Sequence, residues 1–309
     1  MSPPAKVDAR SAYWAYDRIR LRTILKQYLS ITKPTIGLLV VVTAMPTLLM
    51  ASGSTLDLRV ALAAIFGTFL ASASAATFNH VIDRQIDALM VRTKARAIPA
   101  GHISRTEATW FGVCLGAIAF FLLYRYTFPL AAWIAVAANA FYVLVYTMGL
   151  KRRTTQNIVI GGAAGAVGPL IGWAAVTGVV GWPAWALFLV IFLWTPPHFW
   201  ALAIKYKDDY ARAGIPMLPA VKGDAVTRRM ILAYALTLVP ATLSISLFGA
   251  AGWIYGSVAG AASVYFAYLA ARLVLSGNNK LAMPIFHYSC LYLFVIFGAL
   301  ALDQLIYLA

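Results

Sequence analysis

Asn79, Asp83 and Asp87 recur at intervals of four in the stretch Asn79-His80-Val81-Ile82-Asp83-Arg84-Gln85-Ile86-Asp87. On a helix that spacing places all three on one face, each step rising about 6 Å. Two carboxylates one turn apart repel by about 0.2–0.5 kcal/mol on an exposed helix, and by more where water is scarce. They therefore need a positive partner, and two are open. A basic side chain of the same stretch, Arg84 or Lys94, would make the acids a solvated loop face. The other partner is Mg²⁺, which takes one or two protein carboxylates and completes its shell with water and substrate phosphates; the Asn79 carbonyl then serves as a neutral third ligand. Just downstream comes Arg92-Thr93-Lys94-Ala95-Arg96, and arginine forks suit phosphate oxygens. Hard oxygen ligands beside an arginine pair are what a diphosphate needs.

A second cluster runs from Thr195-Pro196-Pro197-His198-Phe199-Trp200 through Lys205-Tyr206-Lys207-Asp208-Asp209-Tyr210 to Pro219. A third stretch reads Lys151-Arg152-Arg153-Thr154, followed by Asn157. The protein holds ten carboxylates, and Asp83, Asp87, Asp208, Asp209 and Asp224 crowd into two of its connections.

These groups sit in a chain that is 62% hydrophobic and 11% charged over 309 residues, with mean hydropathy +0.79. Soluble domains carry about 25% charged residues, so the composition is that of a membrane protein. A spanning helix needs about 20 mainly apolar residues. Nine segments qualify: 35–52, 59–78, 106–124, 127–148, 156–178, 183–204, 229–249, 252–276 and 285–308. None alternates with a period of two, which favours helices over a barrel. The fold expected is an all-α polytopic bundle (35–309) with two aspartate-rich cytoplasmic loops, preceded by a basic segment (1–34).

The N-terminal segment and the even-numbered connections hold 23 of the 25 basic residues, leaving Arg59 and Arg125 on the other side. By the positive-inside rule those connections and the N-terminus face the cytoplasm, and the C-terminus faces out. The net charge of +15 thus reflects topology and not nucleic-acid binding. Residues 1–33 lack the short apolar run of a cleaved signal peptide. Arg10 to Lys26 reads either as an amphipathic surface helix or as a basic tail. Cys114 and Cys290, both in apolar segments and without metal-ligand spacing, read as buried thiols.

The N-x₃-D-x₃-D pattern at Asn79, Asp83 and Asp87 resembles the first motif of the intramembrane prenyltransferase family. The likeness runs from Lys33-Pro34 to the ninth segment. It takes in Arg92-Thr93 with Arg96, Lys151-Arg152, Asn157 to Gly162, Pro196 to Ala203, and Asp209 to Pro219, the last two being the most distinctive of the branch that acts on haem. The resemblance implies a Mg²⁺-dependent enzyme of the lipid bilayer, in a bacterial inner membrane, that joins farnesyl diphosphate to protohaem IX. It implies metal ligation by Asn79, Asp83, Asp87 and Asp209, with Lys205 completing the catalytic group. Arg92, Arg96, Lys151 and Arg152 would bind diphosphate, and the product would pass to haem A synthesis or oxidase assembly. For His198 two roles stand open, a haem contact or a hydrogen-bonded bundle histidine; His80 would contact haem or assist the phosphate site. The family's second motif is usually D-x₃-D, so Lys205-x₃-Asp209 departs from it and leaves the metal count there undefined. Ala97 stands where proline is usual after Arg96, and Gly168 where a proline usually precedes Pro169. Transfer to a quinone-precursor ring shares every diphosphate feature. A transporter would instead carry charges near the middle of its spans.

Overall fold

The computed structural model describes residues 21–53 and 55–308, with side chains to 306. Among the described residues, nine helical segments are long and apolar enough to cross a membrane. They are Pro34–Ser52, Leu58–Leu89, Arg105–Tyr126, Pro129–Leu150, Asn157–Thr177, Trp182–Lys205, Gly223–Leu247, Trp253–Ser276 and Asn279–Ile306, called the first to ninth spans below. No strand occurs among these residues. Of the amphipathic stretch expected over Arg10 to Lys26, residues 10–20 lie outside the described residues; 21–31 is helical, with Leu21 and Leu25 exposed.

Helix ends follow local signals. Proline in the first turn opens the first, fourth and sixth spans, where its missing N–H costs nothing. Asp57 caps the second span by accepting from the Arg59 backbone N–H at 2.7 Å. Ser104 and Glu107 form a reciprocal capping box on the third.

Each span packs on the next and the ninth returns to the first, closing a ring; contacts between first and fifth and between sixth and ninth cross it. Large apolar side chains such as Phe66, Trp110, Phe121, Trp133 and Leu302 cover the outside. A patch of that extent in water would aggregate, whereas lipid accepts it. The protein is an integral membrane protein.

Lipid tails are as apolar as leucine, so helices associate here through close packing more than through burial from water. Gly172 in the fifth span shows how close: a Cβ there would lie 2.4 Å from Thr47 Oγ1 and 2.5 Å from the Ala44 carbonyl oxygen of the first span. Gly172→Ala should therefore push these spans apart and cost about 1–3 kcal/mol, read as a lower thermal midpoint of the purified protein. Gly165→Ala is the control, because a Cβ there meets nothing within 4 Å.

Two sequence expectations are corrected. The acids do not lie in loops: the second span continues to Leu89, so Asn79, Asp83 and Asp87 are on its last turns, and Asp209 is on a short helix, Lys207–Arg212. Hydropathy ends a span where polar residues begin, but here the polar face is enclosed by protein groups and the helix goes on. Cys114, expected to be buried, is exposed on the outside of the third span. Apolar sequence does not distinguish a lipid-facing position from a core-facing one.

Three irregularities shape the site. Phe141–Leu150 of the fourth span is π-helical, and Lys151 N–H donates to the Tyr146 carbonyl at 2.9 Å. The fifth span breaks between Gly165 and Gly168, where Pro169 has no N–H to continue the helix. In the sixth, Pro196 and Pro197 remove the bonds to the Phe192 and Leu193 carbonyls, just ahead of His198. Asp303, fully buried in the ninth span, instead accepts from the N–H groups of Gly252 (2.5 Å) and Tyr255 (3.2 Å). That acid closes the end of the eighth span and belongs to the scaffold.

Candidate active site

Asn79, Asp83 and Asp87 are 3%, 0% and 3% exposed, so the two carboxylate charges and the amide must be met by protein groups. Those of Asp83 come from another connection, and that of Asp87 from the connection that follows its own helix. Lys151, at the end of the π-helical turn, makes a short ion pair with Asp83 Oδ2, and Arg152 Nη2 stands 4.0 Å from Asp83 Oδ1. Arg96 Nη1 reaches both oxygens of Asp87, at 2.9 and 2.7 Å. The nearby cations weighed from sequence do not serve: Arg84 donates to the Val81 carbonyl at 3.1 Å, and Lys94 is exposed. Asn79 Nδ2 donates to Asp83 Oδ2 at 2.7 Å and faces Thr147 Oγ1 at 3.3 Å, while its Oδ1 accepts from Lys33 Nζ at 2.7 Å.

Lys33 escaped the sequence reading, which counted it among the topology charges. It caps the first span in the left-handed region (φ 49), the only residue other than glycine with positive φ among the described residues. Such a backbone is strained for a side-chain-bearing residue and holds only where its surroundings enforce it. Enclosure of the ammonium, together with Arg96 and Lys151 nearby, pulls its pKa down to about 7 against the opposing pull of Asp83 and Asp87. Asn157 was also missed as a site residue. Its Nδ2 donates to the Lys151 carbonyl at 3.1 Å, so it braces the turn that delivers Lys151.

The second acidic segment packs against the first. Ile86 and Met90 from the end of the second span share a buried cluster with Tyr210, Ile215 and Met217. Arg92 Nη2 lies 3.4 Å from Tyr210 Oη and its guanidinium sits over the Tyr206 ring. Asp209 is 7% exposed and makes a short ion pair with Arg212, another partner not foreseen. Lys205 is not drawn into the carboxylates; it is exposed, with Nζ 5.7 Å from the centre of the Tyr206 ring.

Beneath this polar end lies a cavity of about 450 Å³. Lys33 stands at its edge, and Tyr142, Tyr146, Gly165, Trp194 and His198 line it. Its wall is otherwise mostly aliphatic and aromatic. His80 is not among the lining side chains; it sits with the acids, Nδ1 4.0 Å from Asp87 Oδ2, and neither ring nitrogen has a hydrogen-bond partner.

Whether the cluster suits a divalent cation can be judged from its unpaired atoms. Asp83 Oδ1 and Asn157 Oδ1 are buried acceptors that receive no hydrogen bond. Among the described residues no three His, Cys, Asp or Glu side chains converge to hold an ion unaided. Carboxylates and amide oxygens that form an incomplete cage fit Mg²⁺, which leaves positions for phosphate.

An apolar chamber under a cluster of acids and cations defines a membrane enzyme for amphiphilic, anionic substrates. The chain belongs to the UbiA prenyltransferase family, whose model matches residues 40–300. It is 46% identical over 287 residues to the protoheme IX farnesyltransferase of Gloeobacter violaceus, covering 93% of this chain and 94% of that one. It is 47% identical over 283 residues to the protein of that name from Synechococcus elongatus, covering 91% and 89%. Among solved structures, it resembles one of digeranylgeranylglyceryl phosphate synthase with a TM-score of 0.76 at 20% identity, covering 91% and 99% of the two chains. It also resembles a UbiA homolog from Archaeoglobus fulgidus bound to DMAPP and Mg2+, with a TM-score of 0.68 at 15% identity and coverage of 89% and 99%. Family membership sets the transporter reading aside.

Proposed function

We propose that the chain transfers the farnesyl group of farnesyl diphosphate to the 2-vinyl group of protohaem IX, with addition of water, releasing diphosphate. The observation that carries this reading is the juxtaposition at Lys33 of a large apolar chamber and a buried carboxylate–cation cluster. Curated relatives at 44–47% identity, each matched over most of its length, supply the acceptor.

Asn79, Asp83 and Asp87, with Asp209 from the second segment, are assigned to hold Mg²⁺, in line with the ion bound by the Archaeoglobus homolog. An ion held by these side chains would supply positive charge to offset that of the diphosphate. Arg92, Arg96, Lys151 and Arg152 bind the diphosphate, and Lys33 joins them. An arriving polyanion reverses the pressure that holds the Lys33 pKa down and keeps the ammonium charged. His80 belongs to this end, and exposed Lys205 steers the incoming anion more than it holds it. As the allylic C–O bond breaks, its electron pair stays with the diphosphate, and fixed cations stabilise that developing charge most in the transition state. The farnesyl tail lies in the chamber, where the aromatic rings of Tyr142 and Tyr146 in its wall help to stabilise the allylic cation. The terminal vinyl carbon bonds to farnesyl C1, and the cation left beside the porphyrin takes up water and loses a proton. His198, in the chamber wall, contacts the haem. The basic ends face the cytoplasm of a bacterial inner membrane.

Purified protein in lipid nanodiscs, given farnesyl diphosphate, haem and Mg²⁺, should yield a hydroxyethylfarnesyl haem identified by mass spectrometry. Transfer only to a benzoate or quinone ring would reject the assignment.

A further inference from the structure

We propose that Ser289, on the ninth span, fixes the tautomer of His198 and thereby presents the Nε2 lone pair to the haem iron; this rests on haem occupying the chamber. Ser289 is 0% exposed, and its Oγ lies 2.6 Å from His198 Nδ1. The same hydroxyl donates to the Phe286 carbonyl oxygen at 2.6 Å. A carbonyl only accepts and a hydroxyl has a single hydrogen, so that hydrogen is committed to Phe286. Ser289 Oγ can then offer the imidazole only a lone pair, and His198 Nδ1 carries the proton. In a neutral imidazole the other nitrogen, Nε2, is left unprotonated. Among the described residues no hydrogen-bond donor meets Nε2, and the ring lines the chamber.

The ring's orientation is held as well as its tautomer. His198 is stacked between Trp194, at 4.4 Å between centroids and 20° between planes, and Phe286, at 4.6 Å and 26°. Phe199 meets it edge-on at 5.2 Å and 89°. Trp194 Nε1 donates to the Ser289 carbonyl at 2.8 Å, tying the serine's helix to the span that carries the histidine. With both faces covered, only the in-plane edge stays free, and a nitrogen lone pair is directed in that plane. A histidine whose second nitrogen donates to a fixed acceptor is how proteins present imidazole to a metal. A carboxylate in that role raises ligand basicity; a serine hydroxyl does so less. The hold on iron is accordingly loose, as suits a haem that must leave as product. Cys290 Sγ stands 4.0 Å from Nδ1, beside the protonated nitrogen and not at the free one. Ser289 is thus a positioning residue, and His198 the group that touches substrate.

The test uses the full chain in nanodiscs, titrated with protohaem in the absence of any prenyl diphosphate and followed by absorption and resonance Raman spectra. Wild type should show an iron–histidine vibration. His198→Gly should lose it, and added imidazole should restore an iron–imidazole band. Ser289→Ala should shift the vibration and weaken haem binding about tenfold or more, while farnesyl diphosphate affinity stays unchanged. Ser289→Thr, which keeps the hydroxyl, should restore both. A Ser289→Ala protein with the wild-type band and affinity overturns the tautomer assignment. A band that persists in His198→Gly, or a thiolate spectrum in wild type, overturns the ligand assignment. Wild type that farnesylates haem with no protein ligand on iron defeats this inference alone, whereas wild type that neither binds nor farnesylates haem rejects the proposed function as well.

Discussion

Asp83→Asn should lower turnover by about 10²-fold or more while leaving membrane insertion intact. The substitution keeps the shape of the side chain and removes the charge that Lys151, Arg152 and Asn79 Nδ2 all face. It also takes away a carboxylate oxygen assigned to the metal. Breaking a buried ion pair from one side costs about 3–5 kcal/mol in a fully enclosed site. The cost here should be smaller, because Lys151 keeps 17% of its side-chain surface exposed. Loss of stability and loss of chemistry can be separated by a second change. Asp83→Asn combined with Lys151→Met removes both charges, so the thermal midpoint should recover while turnover stays low. Arg59→Ala, exposed at the opposite end of the same helix, should turn over near the wild-type rate. Near-normal turnover of Asp83→Asn at saturating Mg²⁺ would remove Asp83 from the metal site.

The sequence carried the spans because they are written in local composition. It also placed Asn79, Asp83 and Asp87 on one helical face. What it could not carry were pairings across the ring. Lys151 is 68 residues from Asp83, and by type alone it is another charge of a basic connection. Lys33 is harder still: its role depends on a strained turn at Pro34 that aims its ammonium inward. Ser289 shows the same limit, since its hydroxyl matters only because the ninth span brings it against the sixth. The glycines make the point most sharply. Gly165 and Gly172 sit seven residues apart in one apolar run, yet one borders empty space and the other touches a neighbouring backbone.

That difference yields the second large effect: Gly165→Phe should reduce kcat/KM with farnesyl diphosphate and haem by about 10²-fold, with the thermal midpoint unchanged. Gly165 lines the chamber, and a side chain there would meet no existing atom within 4 Å of its first carbon. A phenyl ring can therefore be added without moving the helices, and it takes its room from the substrates. Displacing a reacting group by about 1 Å can cost on the order of 10²-fold in rate, and a ring in a cavity of about 450 Å³ displaces more than that. Diphosphate capture should survive, because the cations around Asp83 and Asp87 lie at the polar end and are untouched. The loss should be graded from Gly165→Ala through Gly165→Leu to Gly165→Phe, and a shorter donor such as geranyl diphosphate should recover part of the rate in the bulkier variants. If Gly165→Phe farnesylates haem at the wild-type rate, the tail and the porphyrin do not share this chamber. The reaction would then have to take place at the bundle's lipid face, beneath the same acids but outside the ring.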